Sequence, residues 1–228
     1  MNQIYYIIGL VVLIACTGLS QSKVNFIEAN LTLTQNQGHF KRNIQEDLFG
    51  LEFGYLRQLK LDKPIFWGIS IYYTKLGNNS GTFQEVVDFE IFDFDYTTTS
   101  NLLGFNGKVR FYPTLYLGKI ETYIEAQLGY KWLFTNTTRS VVGDSDSSDT
   151  NTEKGALSLT YGGAIGINIP LNDRLYLNFR ANYLPGLSVP YYAYNYQNEL
   201  VSSTLDGFDL KRSTTNIVRW DLGIIYRF

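Results

Sequence analysis

Hydrophobic and polar residues alternate one by one along most of this chain, most clearly at its end. Every second residue from Val218 to Phe228 is apolar or aromatic, and the positions between them include Arg219, Asp221 and Arg227. Successive side chains of a β-strand point to opposite faces, so a period of two predicts a strand with one apolar and one polar face.

Seven further segments show the same alternation. The eight predicted strands cover residues 27–33, 49–55, 65–74, 103–111, 124–134, 157–169, 175–183 and 218–228. A tilted strand of about ten residues rises roughly 25 Å, which is the height of the apolar band of an outer-membrane barrel. The length of the segments therefore fits a bilayer.

The connections alternate between short and long. Short turns are predicted at residues 60–64, 113–119 and 170–174, and long polar loops at residues 35–47, 76–99, 136–155 and 185–215. Outer-membrane barrels have short periplasmic turns and long extracellular loops. The prediction is an all-β, monomeric, eight-stranded antiparallel up-and-down transmembrane β-barrel with both termini in the periplasm.

The first residues predict export. Residues 4–15 are apolar but too few to cross a bilayer as a helix, and small residues precede a cleavage site after Ser20. We expect residues 1–20 to be a cleaved signal peptide, residues 21–228 to be the barrel domain, and the location to be the outer membrane of a Gram-negative bacterium. The segment ending at Cys16 also fits a lipobox, in which this cysteine would be lipidated.

Composition narrows the function classes. The net charge of -2 gives no electrostatic case for nucleic acid. Cys16 is the only cysteine, so a chain cleaved after Ser20 has no disulfide and no thiolate site. No motif predicts a metal site or a cofactor. A secreted, lipocalin-like barrel with its apolar faces turned inward fits the alternation equally well, because a period of two does not say which face is inside.

The leader, the eight segments and the terminal Tyr226-Arg227-Phe228 resemble the small outer-membrane β-barrel domain proteins, the porin-family or OmpA/OmpX-like group, of the Bacteroidetes type. The resemblance implies contact with membrane lipid and lipopolysaccharide. It also implies folding by the barrel-assembly machinery, with Tyr226 and Phe228 as the C-terminal signal. It implies no particular activity, because the group shares none.

Charged residues occupy the polar face of the predicted strands. The predicted lumen network consists of Glu28, Glu52, Lys108, Arg110, Glu125, Lys131, Arg180, Arg219 and Asp221. An eight-stranded lumen is just wide enough for side chains to fill, so these groups should pair and plug it. The alternative is a narrow, anion-biased path, since bases outnumber acids on this face and Arg227 adds to the excess.

Two loop segments are candidates for partner binding. Four tyrosines of the last loop could contact a surface protein or a glycan, or could belong to a strand that packs on its neighbour: Tyr191, Tyr192, Tyr194 and Tyr196. Residues 83–96 predict a protruding β-arm with one acidic face, which could accept a partner strand or simply be solvated.

These features predict a non-enzymatic surface scaffold whose loops bind a partner or support envelope integrity. The first alternative is a small channel or the accessory barrel of a secretion system. A less favoured alternative is an enzyme at the outer rim that uses His39, the only histidine, with Ser80 or Asp88. No motif fixes the geometry of these residues, so no catalytic residue is predicted.

Overall fold

A computed structural model describes residues 23–61, 63–87, 89–113, 116–142, 144–195 and 203–228. Eight antiparallel strands form one closed ring: β1 (Asn25–Asn36), β2 (Leu48–Gln58), β3 (Ile65–Val87), β4 (Glu90–Phe111), β6 (Ile120–Val141), β7 (Asp144–Pro170), β8 (Leu175–Leu184) and β11 (Ile217–Arg227). The two-residue strand β5 (Tyr116–Leu117) pairs with β6 within a predicted turn. The predicted fold class is confirmed.

The ring closes between the first and last strands. β1 pairs with β2 on one side and with β11 on the other, with Leu31 opposite Leu222. At the end of the chain, Asn25 and Phe228 exchange two backbone hydrogen bonds of 3.0 Å. All eight strands therefore have two neighbours along the barrel.

The outward face of the ring is apolar. Leu31 and Phe49 are 64% and 78% exposed, whereas Glu28 and Glu52 on the opposite face have no exposed surface. The lipocalin-like alternative is wrong, because it requires the apolar face to point inward. Aromatic side chains mark both ends of the apolar band: Tyr73, Tyr130, Trp132 and Tyr183 at the long-loop end, and Phe111 and Tyr226 at the short-turn end. No helix in the described part of the chain is long and apolar enough to cross a membrane.

Four strands continue far beyond the barrel rim. β3, β4, β6 and β7 have 22 to 27 residues, whereas the other four have 10 to 12. We call the four-stranded extension formed by residues 77–87, 90–100, 135–141 and 144–154 the wall. At about 3.3 Å per residue, its longest strands continue for roughly 35 Å along their own axes beyond the rim.

The wall corrects the prediction of long polar loops at residues 76–99 and 136–155. Both segments are paired strands up to their tips, in agreement with the β-arm predicted for residues 83–96. Threonine favours extended backbone and pairs well across strands, so these polar segments form a sheet even where no apolar face is buried.

The loops at the remaining part of the rim also contain structure. The short helix α1 (Gly38–Asn43) lies between β1 and β2. Strands β9 (Ser188–Tyr194) and β10 (Phe208–Thr214) form an antiparallel hairpin, and a 3₁₀ helix (Thr204–Gly207) precedes β10. We call this hairpin with its 3₁₀ helix the plug. The predicted signal peptide, Cys16, Asp88 and Tyr196 lie outside the described residues.

Candidate functional site

The lumen of the barrel holds a layer of eight charged side chains. Four bases and four acids have fully buried side chains: Lys108, Arg110, Arg180 and Arg219, and Glu28, Glu52, Glu125 and Asp221. They come from six strands, and each lies at a position of the period-two pattern that faces the lumen. The structure thus brings together all the residues of the predicted lumen network except Lys131.

One half of this layer lies around Glu28 and Glu125. Arg110 Nη1 is 2.6 Å from Glu28 Oε1, and Arg110 Nη2 is 2.7 Å from Glu125 Oε2. Lys108 Nζ donates to Glu52 Oε1 at 2.7 Å and lies 3.3 Å from Glu28 Oε2. Arg110 bridges β1 and β6, which lie on opposite sides of the ring.

The other half lies around Glu52 and Asp221. Arg180 Nη2 is 2.7 Å from Asp221 Oδ2 and also contacts Glu52. Arg219 Nε donates to Asp221 Oδ1 at 2.9 Å, and its Nη2 contacts the second oxygen of Glu52. Asn182 donates to Asp221 Oδ2 at 2.7 Å. Paired and hydrogen-bonded charges of this kind are the form in which buried ions are tolerated.

Two tyrosines complete the layer by stacking on arginines. The guanidinium of Arg110 lies 4.0 Å from the ring centre of Tyr123, and that of Arg219 lies 4.3 Å from the ring centre of Tyr72. Such cation–π contacts stabilise desolvated arginines. Each tyrosine lies directly opposite a glycine on the next strand, Gly166 and Gly104 respectively, which leaves room for the ring. The tyrosines share the inward parity, but the charge of the polar positions alone does not reveal them.

Lys131 lies apart from the acids. Its fully buried Nζ donates to the carbonyl oxygens of Leu184 and Thr215, at 2.6 and 2.5 Å. Arg227, at the short-turn end, is exposed. The excess of base expected from the sequence is therefore absent from the charge layer, which contains equal numbers of acids and bases. The base in excess is Lys131, which is buried in the lumen outside this layer.

Apolar layers lie on both sides of the charge layer. At the short-turn end, Phe26 and Phe66 pack with ring centres 4.9 Å apart, and Tyr112 packs against Phe66 at 5.4 Å. Leu56 and Ile225 are fully buried beside them. At the long-loop end, the buried apolar cluster consists of Phe40, Ile44, Leu48, Tyr72, Leu76, Leu102, Leu133, Leu184, Val189, Tyr191, Ala193 and Ile217.

The plug supplies part of this outer apolar layer. Tyr191 is 2% exposed, and its ring packs edge-on against Phe40 of α1 with ring centres 5.1 Å apart. Its hydroxyl accepts a hydrogen bond from Asn43 Nδ2 at 2.7 Å and shares another with the Ser213 hydroxyl at 2.8 Å. Burial raises the pKa of its hydroxyl. Tyr191 is therefore a packing residue, which corrects its assignment to an outer binding surface.

The other predicted tyrosines are less enclosed. Tyr192 and Tyr194 are partly exposed, and Tyr194 packs on Phe208 with ring centres 5.3 Å apart. Between described residues, three hydrogen bonds tie the plug to the wall. Ser100 Oγ donates to the carbonyl of Tyr192 at 3.0 Å, Asn79 donates to the carbonyl of Thr204 at 2.9 Å, and the hydroxyls of Thr98 and Thr204 are 2.8 Å apart. The hairpin closes the mouth of the lumen.

The remaining candidate residues lie at the surface. Tyr226 and Phe228 are exposed on the apolar outer face, and their rings stack at 6.2 Å; their role as an assembly signal stays a prediction. His39 is exposed on α1, which packs against β1 and β10, whereas Ser80 lies on the wall. Within the described ranges, no three acidic, histidine or cysteine side chains form a group that could hold a metal ion.

Solved structures similar to this chain support its fold. No protein-family model and no curated protein matches the sequence. Among solved structures, a major outer membrane protein from Thermus thermophilus is similar over 91% of this chain and 100% of that chain, with a TM-score of 0.52 and 12% identity. Neisserial surface protein A matches over 90% of this chain and 95% of that chain, with a TM-score of 0.42 and 9% identity. The chain has the fold of small outer-membrane β-barrels.

Proposed function

We propose that this protein is a sealed, non-enzymatic β-barrel of the outer membrane that holds a structured surface, the wall and the plug, outside the cell. The location is supported by the apolar outer face with its aromatic ends and by the fold shared with an outer-membrane protein. The long strands and the plug lie at the end that becomes extracellular in this orientation.

The observation that carries the proposal is the filling of the lumen. A charge layer with equal numbers of acids and bases lies between two apolar layers, and the plug covers the outer one. An ion would have to displace paired charges and cross two apolar layers, in both of which its hydration shell is lost. This favours a scaffold over a channel.

Single-channel recording tests the proposal. The purified full chain is inserted into a planar bilayer, and a shift in gel mobility on heating shows that the barrel is folded. We expect a heat-modifiable protein that produces no conductance steps. Reproducible steps from folded protein would overturn the sealed lumen and make transport the working function.

A rim enzyme remains the competing class for the exposed surface. A hydrolytic activity that is present in the full chain and lost in His39→Ala would contradict the scaffold. We expect no such difference in an assay with ester and peptide substrates, because His39 lies on α1 and has no described contact with the wall residue Ser80.

A further inference from the structure

The outer face of the wall is a regular array of small polar side chains. Cross-strand pairing places its residues in three rows of four: Asn78, Thr99, Asn136 and Thr152; Ser80, Thr97, Thr138 and Thr150; Thr82, Asp95, Ser140 and Ser148. Eleven of these twelve carry a hydroxyl or an amide, and Asp95 is the only charged one. Neighbours are roughly 4.8 Å apart across the strands and about 6.7 Å apart along them. We call this surface the hydroxyl face.

Hydrogen bonds along the rows hold part of this face in place. Thr99 donates to Asn78 at 3.0 Å, and the hydroxyls of Thr138 and Thr150 are 3.1 Å apart. Every residue of the face is at least partly exposed. A hydroxyl can donate one bond and accept two, so the pairs keep capacity for an external ligand.

The position of the hydroxyl face identifies what lies beside it. Along β6, Trp132 and Phe134 have the same parity as Asn136, Thr138 and Ser140, and the two aromatic rings pack 4.6 Å apart. The hydroxyl face therefore continues the lipid-facing side of the barrel upward, directly above the aromatic end of the apolar band. In the outer leaflet, the sugars of lipopolysaccharide occupy that height.

The charge of the face discriminates between ligands. Exposed charged residues are present elsewhere at the rim, for example Lys41 and Arg42 on α1 and Asp47 before β2. None of the twelve residues of the hydroxyl face is a cation that could pair with a phosphate; the outward-facing cation at its foot is Lys75 of β3, below Asn78. The hydroxyl and amide groups of the face instead match the hydroxyl groups of a neutral sugar.

A protein partner fits this face poorly. The buried centre of a protein interface is enriched in aromatic residues and methionine, and burying polar groups without matched bonds costs free energy. None of the twelve residues is aromatic or aliphatic. A hydrated saccharide chain can satisfy these groups directly or through bridging water.

We propose that the hydroxyl face binds the saccharide chains of the lipopolysaccharide molecules that surround the barrel, an inference that rests on the proposed outer-membrane location. The wall then contacts the sugar layer laterally, while its opposite face holds the plug. The array of hydroxyls positions several sugars of one chain, and the stacked Trp132 and Phe134 lie at its foot.

A valine series tests this assignment. Thr97, Thr138 and Thr150 are paired side by side in the central row, and T97V/T138V/T150V removes three hydroxyls without changing side-chain shape or strand propensity. Thr214→Val, at an exposed position of β10, is the matched control. The full chain is placed in nanodiscs, and binding is followed by saturation-transfer NMR.

Two probes separate the possible ligands: the core-and-O-chain saccharide released from smooth lipopolysaccharide by mild acid, and lipid A. We expect the saccharide to bind the parent protein and Thr214→Val equally and to bind the triple variant at least tenfold more weakly. Saccharide binding that is absent or equal in all three proteins overturns the inference. Loss of lipid A binding alone in the triple variant also overturns it. The heat shift and the conductance record test the sealed scaffold separately in each variant.

Discussion

Glu52 and Lys131 show two ways in which this barrel buries an ionisable side chain. Glu52 contacts the cations Lys108, Arg180 and Arg219, so its charge is neutralised by neighbours. Among the described residues, Lys131 hydrogen-bonds to two backbone carbonyls and to no carboxylate, so backbone dipoles satisfy its amino group. Removing either side chain leaves a different kind of unsatisfied group behind, and the expected costs differ accordingly.

Replacement of Glu52 by glutamine is expected to destabilise the barrel by about 3–5 kcal/mol, because three cations, Lys108, Arg180 and Arg219, lose a buried counter-charge while the shape of the side chain is kept. The matched control is Asp209→Asn, which breaks the exposed pair with Lys211 and should cost less than about 1 kcal/mol. Urea unfolding of the refolded barrel in detergent measures both. Equal losses in the two variants would contradict a tightly paired charge layer.

Lys131→Met should loosen the plug. Lys131 holds the carbonyls of Leu184 and Thr215, which lie at the two stems of the segment that carries the hairpin. Loss of these two hydrogen bonds is expected to cost about 1–3 kcal/mol. We expect faster hydrogen exchange in Ser188–Tyr194, with Lys75→Met, at an exposed position, as the control. Unchanged exchange would mean that the other stem contacts suffice to hold the hairpin.

At the scale of strands, the period-two pattern predicted which residues face the lumen, because parity alone decides the face. Apart from the β-arm predicted at residues 83–96, the wall was missed because Thr, Asn and Ser alternate there without hydrophobic contrast. The plug was missed for another reason: Tyr191 packs against α1, Asn43 and the barrel, and such contacts leave no local signal. The separation of Lys131 from the acids depends on the stagger between strands, which the sequence does not display.

The pairing of β3 with β4 requires a glycine where Tyr72 turns inward. A Cβ on Gly104 would lie 1.9 Å from Tyr72 Cε1, whereas one on Gly107 would meet nothing nearer than 3.6 Å. Gly104→Ala should therefore lower the yield of folded barrel and reduce its free energy of unfolding by about 1–3 kcal/mol, whereas Gly107→Ala should do neither. Relief of the defect in the Tyr72→Ala/Gly104→Ala double variant is the decisive comparison. A double variant no better than the sum of its parts would contradict the steric cause.

The whole molecule is sealed in layers, each of which has its own physical basis. The outer layer depends on the plug, the central layer on paired charges, and the inner layer on packed aromatic rings. A lumen closed three times has no single gate, since removing one layer leaves the other two in place.

Removal of the plug tests this redundancy. Gly186 donates from its backbone to Asn216 Oδ1 at 3.1 Å, so a short Gly-Ser linker can replace residues 188–214 without straining the stems. We expect a heat-modifiable barrel that still conducts nothing in a planar bilayer. Steady conductance in this variant would assign the seal to the plug alone.

Because its strands differ in length, the protein is asymmetric about the membrane normal. An upright cylinder presents the same profile to every neighbour, but this one has a high side at β3, β4, β6 and β7 and a low side at β1, β2, β8 and β11. A molecule that diffuses toward it meets the wall from one side and only the barrel rim from the other. How another membrane protein meets this barrel therefore depends on the side from which it approaches. Several such barrels side by side can share one orientation within the membrane plane, which barrels of equal height on all sides cannot.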